Sequence, residues 1–142
     1  MRTQVTAWIV GSTMMFCTGF LSAQEPPPAE YVQAMQDILA AVQAFGEFSE
    51  SDEESQDFEA AKAAAGSAKT AFDYVRQFWS DRSTDAGELA EAAWAAALSA
   101  EVAADFSSAE GVTFAAGEMG ETCMPCHTAH RDQLEDGSFV IK

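Results

Sequence analysis

The chain has 142 residues, of which 7 are basic and 23 acidic, so its net charge is −16. This length is typical of one domain with a hydrophobic core, and the 48% hydrophobic content excludes general disorder. The negative charge excludes nucleic-acid binding, disfavours docking to anionic lipid, and predicts that a protein partner docks through a basic surface.

The first 23 residues have the features of a secretory signal peptide. Arg2 gives a positive start, and the mostly apolar stretch from Ala7 to Leu21 is too short for a comfortable membrane span. Ser22 and Ala23 are small residues suited to cleavage before Gln24. We therefore expect residues 1–23 to be removed and the mature protein to work in the periplasm, not as an integral membrane protein. An uncleaved N-terminal anchor is the alternative.

The mature chain is predicted to be all-α. After a Pro-rich leader at residues 24–28, no proline occurs from Ala29 to Met124, alanine is abundant, and no stretch alternates with period two. Gly46 and Gly137 are the expected ends of the first and last helices, and Thr84 or Asp85 is the expected cap of the third. The apolar spacing predicts helices from about Ala29 to Phe45, Ser55 to Asp81, Asp85 to Phe106 and Ala109 to Glu135.

Short connections predict that successive helices are antiparallel neighbours, so residues 29–136 should form an up-down-up-down four-helix bundle. Residues 137–142 are a C-terminal tail. The second helix has a strict heptad seam, which is typical of left-handed bundle packing. The expected core positions are Val32, Met35, Leu39 and Val42, then Phe58, Ala61, Ala65, Ala68, Phe72, Val75 and Trp79, then Leu89, Trp94, Leu98, Val102 and Phe106, and finally Val112, Ala116, Met119, Cys123, Cys126 and His130.

A basic stripe accompanies the seam of the second helix. Lys62, Lys69 and Arg76 recur every seven residues outside the apolar positions. We expect a solvated face, with Glu59 and Asp73 as ion-pair partners within the same helix.

All cysteines and histidines of the mature chain lie between Cys123 and His130. Cys-x-x-Cys-His is the attachment pattern of c-type haem. Residues three and four apart share one face of a helix, so both thiols can reach the two vinyl groups of one porphyrin while the His127 imidazole approaches the iron. We predict one covalent haem c, with Cys123 and Cys126 as thioether residues and His127 as the proximal iron ligand.

Three functions without haem are alternatives at this stage. Cys123, Cys126, His127 and His130 form a two-Cys, two-His set for zinc, although compact zinc sites usually split their ligands into two pairs separated by a loop. The Met-Pro-Cys run is similar to a thiol–disulfide exchange motif, which usually follows a strand. A plain disulfide is the third alternative, although residues three apart on a helix have poor geometry for a bridge.

With this motif near the C-terminus, on the last helix of a bundle, the chain resembles the class II c-type cytochromes, the cytochrome c′ family. The likeness extends over roughly residues 29–136. The family continues its motif as Cys-x-x-Cys-His-x-x-(Tyr/Phe)-Arg; Cys123, Cys126, His127 and Arg131 match it, and His130 stands at the aromatic position. A second imidazole would there tune the proximal ligand in place of a packed ring. The resemblance implies an exported bacterial cytochrome and, because family members often pair, a homodimer.

The ligand on the other face of the iron separates two functions in this family. The resemblance implies either a low-spin electron carrier with a methionine ligand or a five-coordinate protein that binds nitric oxide or carbon monoxide. Met119 and Met124 lie on the haem-bearing helix, which leaves Met35 as the free thioether on another helix. Met35 is about 9 Å along the first helix, level with the motif on the antiparallel last helix. We expect Met35 to be the distal ligand, with core packing as its alternative role.

Two further residues bear on the site. Arg131, four residues after His127, is the candidate contact for a haem propionate, and a solvated arginine near a helix end is the alternative. The segment from Tyr31 to Gln36 also resembles the family's first helix, with Tyr31 where an arginine is common. The expected protein is therefore an electron carrier rather than an enzyme, and its redox partner has a basic docking surface.

Overall fold

Four helices pack side by side in the computed structural model, which describes residues 24–142. They are α1 (Ala29–Glu50), α2 (Phe58–Trp79), α3 (Thr84–Asp105) and α4 (Ala109–His130), and a 3-10 turn at Glu53–Ser55 follows α1. The prediction of a helical four-helix bundle is confirmed for this part of the chain, apart from a small C-terminal hairpin. The expected signal peptide at residues 1–23 lies outside the described residues.

Ion pairs between α2 and α3 show that these helices are antiparallel. The basic side chains of α2 reach acidic side chains on α3, in reverse order along the chain, and Arg76 alone also pairs within its helix, with Asp73. The expectation of intrahelical partners was therefore wrong for Lys62 and Lys69, because α3 lies alongside this face. The interhelical pairs are Lys62–Asp105, Lys69–Glu101 and Arg76–Glu91.

Side-chain caps and buried aromatic residues account for the helix boundaries. Asp57, Ser83 and Ser108 accept hydrogen bonds from the first backbone N–H groups of α2, α3 and α4. The cap of α3 is therefore Ser83 and neither Thr84 nor Asp85, the two expected residues. The predicted end of α1 at Gly46 was wrong, because the helix continues to bury Phe48.

The last helix ends earlier than predicted and is followed by a β-hairpin. Strand β1 (Arg131–Gln133) pairs antiparallel with β2 (Phe139–Ile141), with Asp132 opposite Val140. Gly137 does not end a helix; it takes a φ of +87° in the turn between the strands, a conformation that favours glycine. Glu25 pairs with Ile141 through two backbone hydrogen bonds of 3.0 and 2.8 Å, so the Pro-rich leader joins the same small sheet.

Alanine forms most of the core between α2, α3 and α4. The predicted seam of α2 is confirmed: all of its members are buried except Phe58, which is half-buried. Of the core positions predicted in α3, Trp94 packs against the core, whereas Leu98, Val102 and Phe106 are exposed. The fully buried positions of α3 are alanines such as Ala97 and Ala100. Small side chains let these helices approach closely, and a Cβ at Gly111 would lie 2.9 Å from the Ala103 Cβ.

The inward face of α1 also differs from the prediction. Ile38, Phe45 and Phe48 are buried, whereas Leu39 is 57% exposed. Val32 and Val42 are exposed as well. These exposed apolar side chains lie two turns and then one turn apart on the side of α1 that faces the end of α4. α1 and α4 touch less than the other neighbouring helices do, and this leaves room between them.

None of the helices within residues 24–142 is both long enough and apolar enough to cross a membrane.

Candidate haem site

A cavity of about 490 Å³ lies between α1 and the C-terminal end of α4. Its size is within the range of small-molecule and cofactor sites, about 300 to 1,000 Å³. Farther along the two helices α1 and α4 come into contact, with the Ser49 and Thr113 hydroxyls 3.3 Å apart. The side chains that line the cavity are predominantly apolar.

The α4 wall of the cavity carries the Cys-x-x-Cys-His motif. Cys123, Cys126 and His127 all line it and are half-buried. The helical spacing of three and four residues places them on one side of α4. Both thiols are free. The structure therefore brings the three predicted haem-attachment residues to one surface.

Burial affects the protonation of these groups. It raises the pKa of both thiols, so Cys123 and Cys126 remain protonated at neutral pH. Burial, together with the nearby Arg131 cation, lowers the pKa of His127. The His127 imidazole is therefore neutral at neutral pH, which is the form that binds a metal.

The α1 wall carries Met35, half-buried in the same cavity. Val32 and Leu39 line the cavity one turn to either side of it. The other methionines are elsewhere: Met119 is fully buried in the core and Met124 is 67% exposed. The structure therefore brings Met35 and the motif to opposite walls of one cavity, as the level of the two helices predicts. Ligation by Met35 stays a prediction.

An aromatic cluster closes the α2 side of the cavity. The Trp79 indole N–H donates to the Tyr31 hydroxyl at 3.1 Å, and the Tyr31 and Phe78 rings lie 4.6 Å apart. Burial raises the pKa of Tyr31 to about 12. The sequence did not predict this contact. It placed Trp79 only in the core of α2, and Tyr31 only at a position where the family often has an arginine.

Two contacts fix the position of the His130 side chain. Its ring packs against Trp79, with centroids 5.0 Å apart, and its Nε2 atom lies 2.9 Å from the Asp85 carboxylate. His130 stands where the cytochrome motif has a tyrosine or phenylalanine, and its ring packs against a neighbouring aromatic ring as such a residue would. It also fastens the end of α4 to the start of α3.

The Asp85 carboxylate gives a prediction for acid stability. A hydrogen bond from the Ser83 hydroxyl, and then the contact with His130, lower the pKa of Asp85 to about 2. A carboxyl whose pKa is lower in the folded state than in the unfolded state stabilises the fold at pH values above its unfolded-state pKa, which is about 4. This stabilisation is lost as the pH falls toward 2. We expect Asp85→Asn to lower the urea midpoint at pH 5, with a smaller difference from the wild type at pH 2. Asp81→Asn, at an exposed carboxylate nearby, is the control; a difference for Asp85→Asn that does not shrink in acid would contradict the assignment.

The C-terminal hairpin forms the remaining wall. Phe139, Val140 and Ile141 line the cavity, and the Arg131 guanidinium lies over the Phe139 ring at 4.5 Å. The sequence predicted Arg131 as a propionate contact but assigned the final residues to a tail. Arg131 does lie at the cavity, at the junction of α4 and β1. Its contact with a propionate stays a prediction.

The donor set and the walls fit haem c. Two thiols, one neutral imidazole and one thioether surround an apolar space, and Val32, Leu39 and Val42 leave apolar surface that a flat apolar ring would cover. A Cβ at Gly117 or Gly120 would meet no atom within 4 Å, so the α4 backbone before the motif has open space beside it.

The zinc alternative requires His130 as a fourth ligand, and this side chain contacts Asp85 and Trp79 instead. Within residues 24–142, no three His, Cys, Asp or Glu side chains converge in a way that would hold a metal ion.

Comparisons with family models, with curated proteins and with solved structures find no match to this chain.

Proposed function

We propose that this protein is a periplasmic monohaem c-type cytochrome that carries electrons. The observation that supports the proposal is the meeting of Cys123, Cys126, His127 and Met35 on the walls of one apolar cavity. The resemblance of the sequence to the class II cytochromes, with the motif on the last helix of a four-helix bundle, also supports the proposal. Export by the N-terminal segment is part of the proposal, since haem c is attached outside the cytoplasm in bacteria.

The proposed roles of the residues follow from their positions. Cys123 and Cys126 would each hold the haem through a thioether bond formed by addition of the thiol S–H across a vinyl group, a step that needs no oxidant. His127 would supply an imidazole nitrogen to the iron from the α4 wall, and Met35 would supply its sulfur from the α1 wall. When bound, haem supplies an iron that alternates between two oxidation states. No side chain is required as a general base or nucleophile.

The cavity walls bear on the reduction potential. Val32, Leu39 and Val42 on α1 and the β2 residues line the site with apolar side chains, which a bound haem would cover and remove from water. A thioether ligand favours the reduced iron, and an environment with little water disfavours the additional positive charge of the oxidised iron. Both effects raise the potential. Arg131, as the candidate propionate contact, would neutralise one carboxylate at the edge of the site.

The redox partner is proposed to be a protein with a basic docking surface. The chain carries a net charge of −16, which speeds diffusional encounter with a positively charged surface. Such steering is screened by salt, so the electron-transfer rate should fall as ionic strength rises.

A second candidate function is the binding of nitric oxide or carbon monoxide at a five-coordinate iron. The observation that favours it is the apolar character of the α1 wall on both sides of Met35, which suits a small uncharged ligand. In this case Met35 only packs against the ring.

The visible absorption spectrum of the protein, exported from a host that attaches haem c, tests the proposal. We expect haem bands that resist extraction, a low-spin reduced spectrum, and a far-red sulfur-to-iron band in the oxidised state. A high-spin spectrum that shifts on addition of carbon monoxide would favour gas binding. A protein without haem bands would contradict both functions and return zinc or thiol chemistry as the leading hypotheses.

A further inference from the structure

A second groove lies between α1 and α2, on a different side of α1 from the haem cavity. Its volume is about 600 Å³, which is within the range of ligand sites in proteins, about 300 to 1,000 Å³. The facing residues of α2 are small and leave this space open; they are Gly66, Ser67, Thr70 and Ala71. The proposed haem site does not involve this α1–α2 groove.

The α1–α2 groove combines an apolar floor with carboxylates at its rim. Ala34 and Ala71 are both buried and form the floor. Glu30 and Asp37 lie seven residues apart on the α1 side, about 10 Å along the helix axis. The half-buried Tyr74 ring completes the α2 side. This combination suits a lysine or arginine side chain, whose aliphatic stem lies on apolar surface while its cation contacts a carboxylate or the face of an aromatic ring.

The negative charge of the groove has no counter-charge among residues 24–142. The α1 helix contains four acidic residues and no lysine or arginine. No basic side chain of the described residues lines the groove, and neither Glu30 nor Asp37 forms an ion pair with them. The Gln33 amide donates to Asp37 at 2.9 Å, which orients the carboxylate without neutralising it. The α2–α3 face differs, because its basic side chains already pair with α3.

We infer that lysine or arginine side chains of the redox partner bind in the α1–α2 groove, between Glu30 and Asp37. That the partner exchanges electrons rests on the proposed function. The binding of basic side chains does not, because the groove and the haem cavity share no lining residue. Ala34 lines the groove, and the next residue, Met35, lines the haem cavity. A partner docked here is therefore separated from the proposed iron ligand by a single helix about 10 Å thick, which gives the electron a short path.

An NMR titration of the exported protein with a hexalysine peptide at low ionic strength tests this inference. We expect backbone amide signals to shift mainly in residues 30–37 and 66–74, which form the groove walls. The double variant Glu30→Gln/Asp37→Asn should bind the peptide about 10-fold more weakly, because two charge contacts are lost. Each substitution keeps the shape of the side chain, so the helical circular dichroism should be unchanged. Haem is not required for this measurement, so a protein without haem bands would contradict the proposed function and still report on the groove.

Glu47→Gln/Glu50→Gln is the matched control for charge. It removes two carboxylates from the other end of the same helix, where they do not line the groove. Peptide binding should weaken by no more than about 2-fold in this variant, since only the overall charge of the protein changes.

A second pair of variants tests the shape of the groove. Ser67→Trp places an indole in the groove without altering the charge, and should weaken peptide binding as strongly as the loss of both carboxylates. Ser99→Trp makes the same change at an exposed position of α3 and should bind as the wild type does.

Four results would overturn the inference. The first is the absence of any binding of hexalysine, and the second is a set of shifts spread over the whole acidic surface. Equal weakening by the two charge variants is the third, because the groove carboxylates would then have no special role. The fourth is unaltered binding by Ser67→Trp, which would show that the peptide is held by charge alone.

Discussion

Replacing both Cys123 and Cys126 with serine is expected to abolish covalent haem attachment. The thiols are the only residues within 24–142 that can form thioether bonds, and both face the cavity. Serine retains the size and helical geometry but not the nucleophilic sulfur. Acidified organic solvent should extract all haem from the double variant and none from the wild type. Each single variant should keep one bond and a shifted spectrum, because one vinyl group remains unreacted.

Thr128→Ser is a control for this experiment, because it alters an exposed hydroxyl residue on the same helix without touching the cavity. It should retain covalent haem at the wild-type level. Covalent haem in the double serine variant would contradict the assignment of the two cysteines. The amount of exported protein and its circular dichroism should be measured alongside, so that loss of attachment is separated from loss of protein.

Replacing Met35 with alanine should convert a six-coordinate iron into a five-coordinate one. His127 alone would then hold the iron, giving a high-spin spectrum and rapid binding of carbon monoxide. The reduction potential should fall by on the order of 100 mV, because the thioether that favours reduced iron is lost. Visible spectroscopy and a redox titration measure the two effects in the same sample.

Two variants separate ligation by Met35 from packing. Met35→Leu keeps the volume and removes the sulfur, so it should also lose the far-red sulfur-to-iron band. Val32→Ala removes apolar volume from the same wall one turn away, and should keep that band because its side chain has no donor atom. A six-coordinate spectrum unchanged by Met35→Ala would show that a group other than Met35 is the sixth ligand of the iron.

The helical bundle, and the meeting of the cysteine motif with Met35, could both be predicted from the spacing of residues along the helices. The seam of α2 is regular because this helix is packed against α1 and α3 along its length, and a heptad spacing is easily recognised. The haem motif is local, so its geometry needs only a helix. The meeting of Met35 with Cys123 and His127 required the further step that α1 and α4 are antiparallel, which the short connections supplied.

The remaining features depend on contacts that spacing does not reveal. In α3 alanines fill the close contacts with α2 and α4, so three of the large residues predicted to be in the core, Leu98, Val102 and Phe106, lie on the outside instead. In α1 the stripe containing Val32 and Leu39 is regular because it lines the cavity. The hairpin after His130 arises from pairing between residues 131–133 and 139–141, and with Glu25, none of which follows from local propensity.

The alanine core between α2 and α3 has a thermodynamic consequence. A buried alanine exposes little apolar surface when the chain unfolds, and apolar exposure is the main positive contribution to the heat capacity of unfolding. Fully buried positions such as Ala65, Ala97 and Ala100 therefore contribute less to this heat capacity than leucine or isoleucine would at the same positions. A smaller heat capacity change flattens the dependence of the unfolding free energy on temperature. The unfolding free energy should consequently vary less with temperature than it would with leucine or isoleucine at these positions.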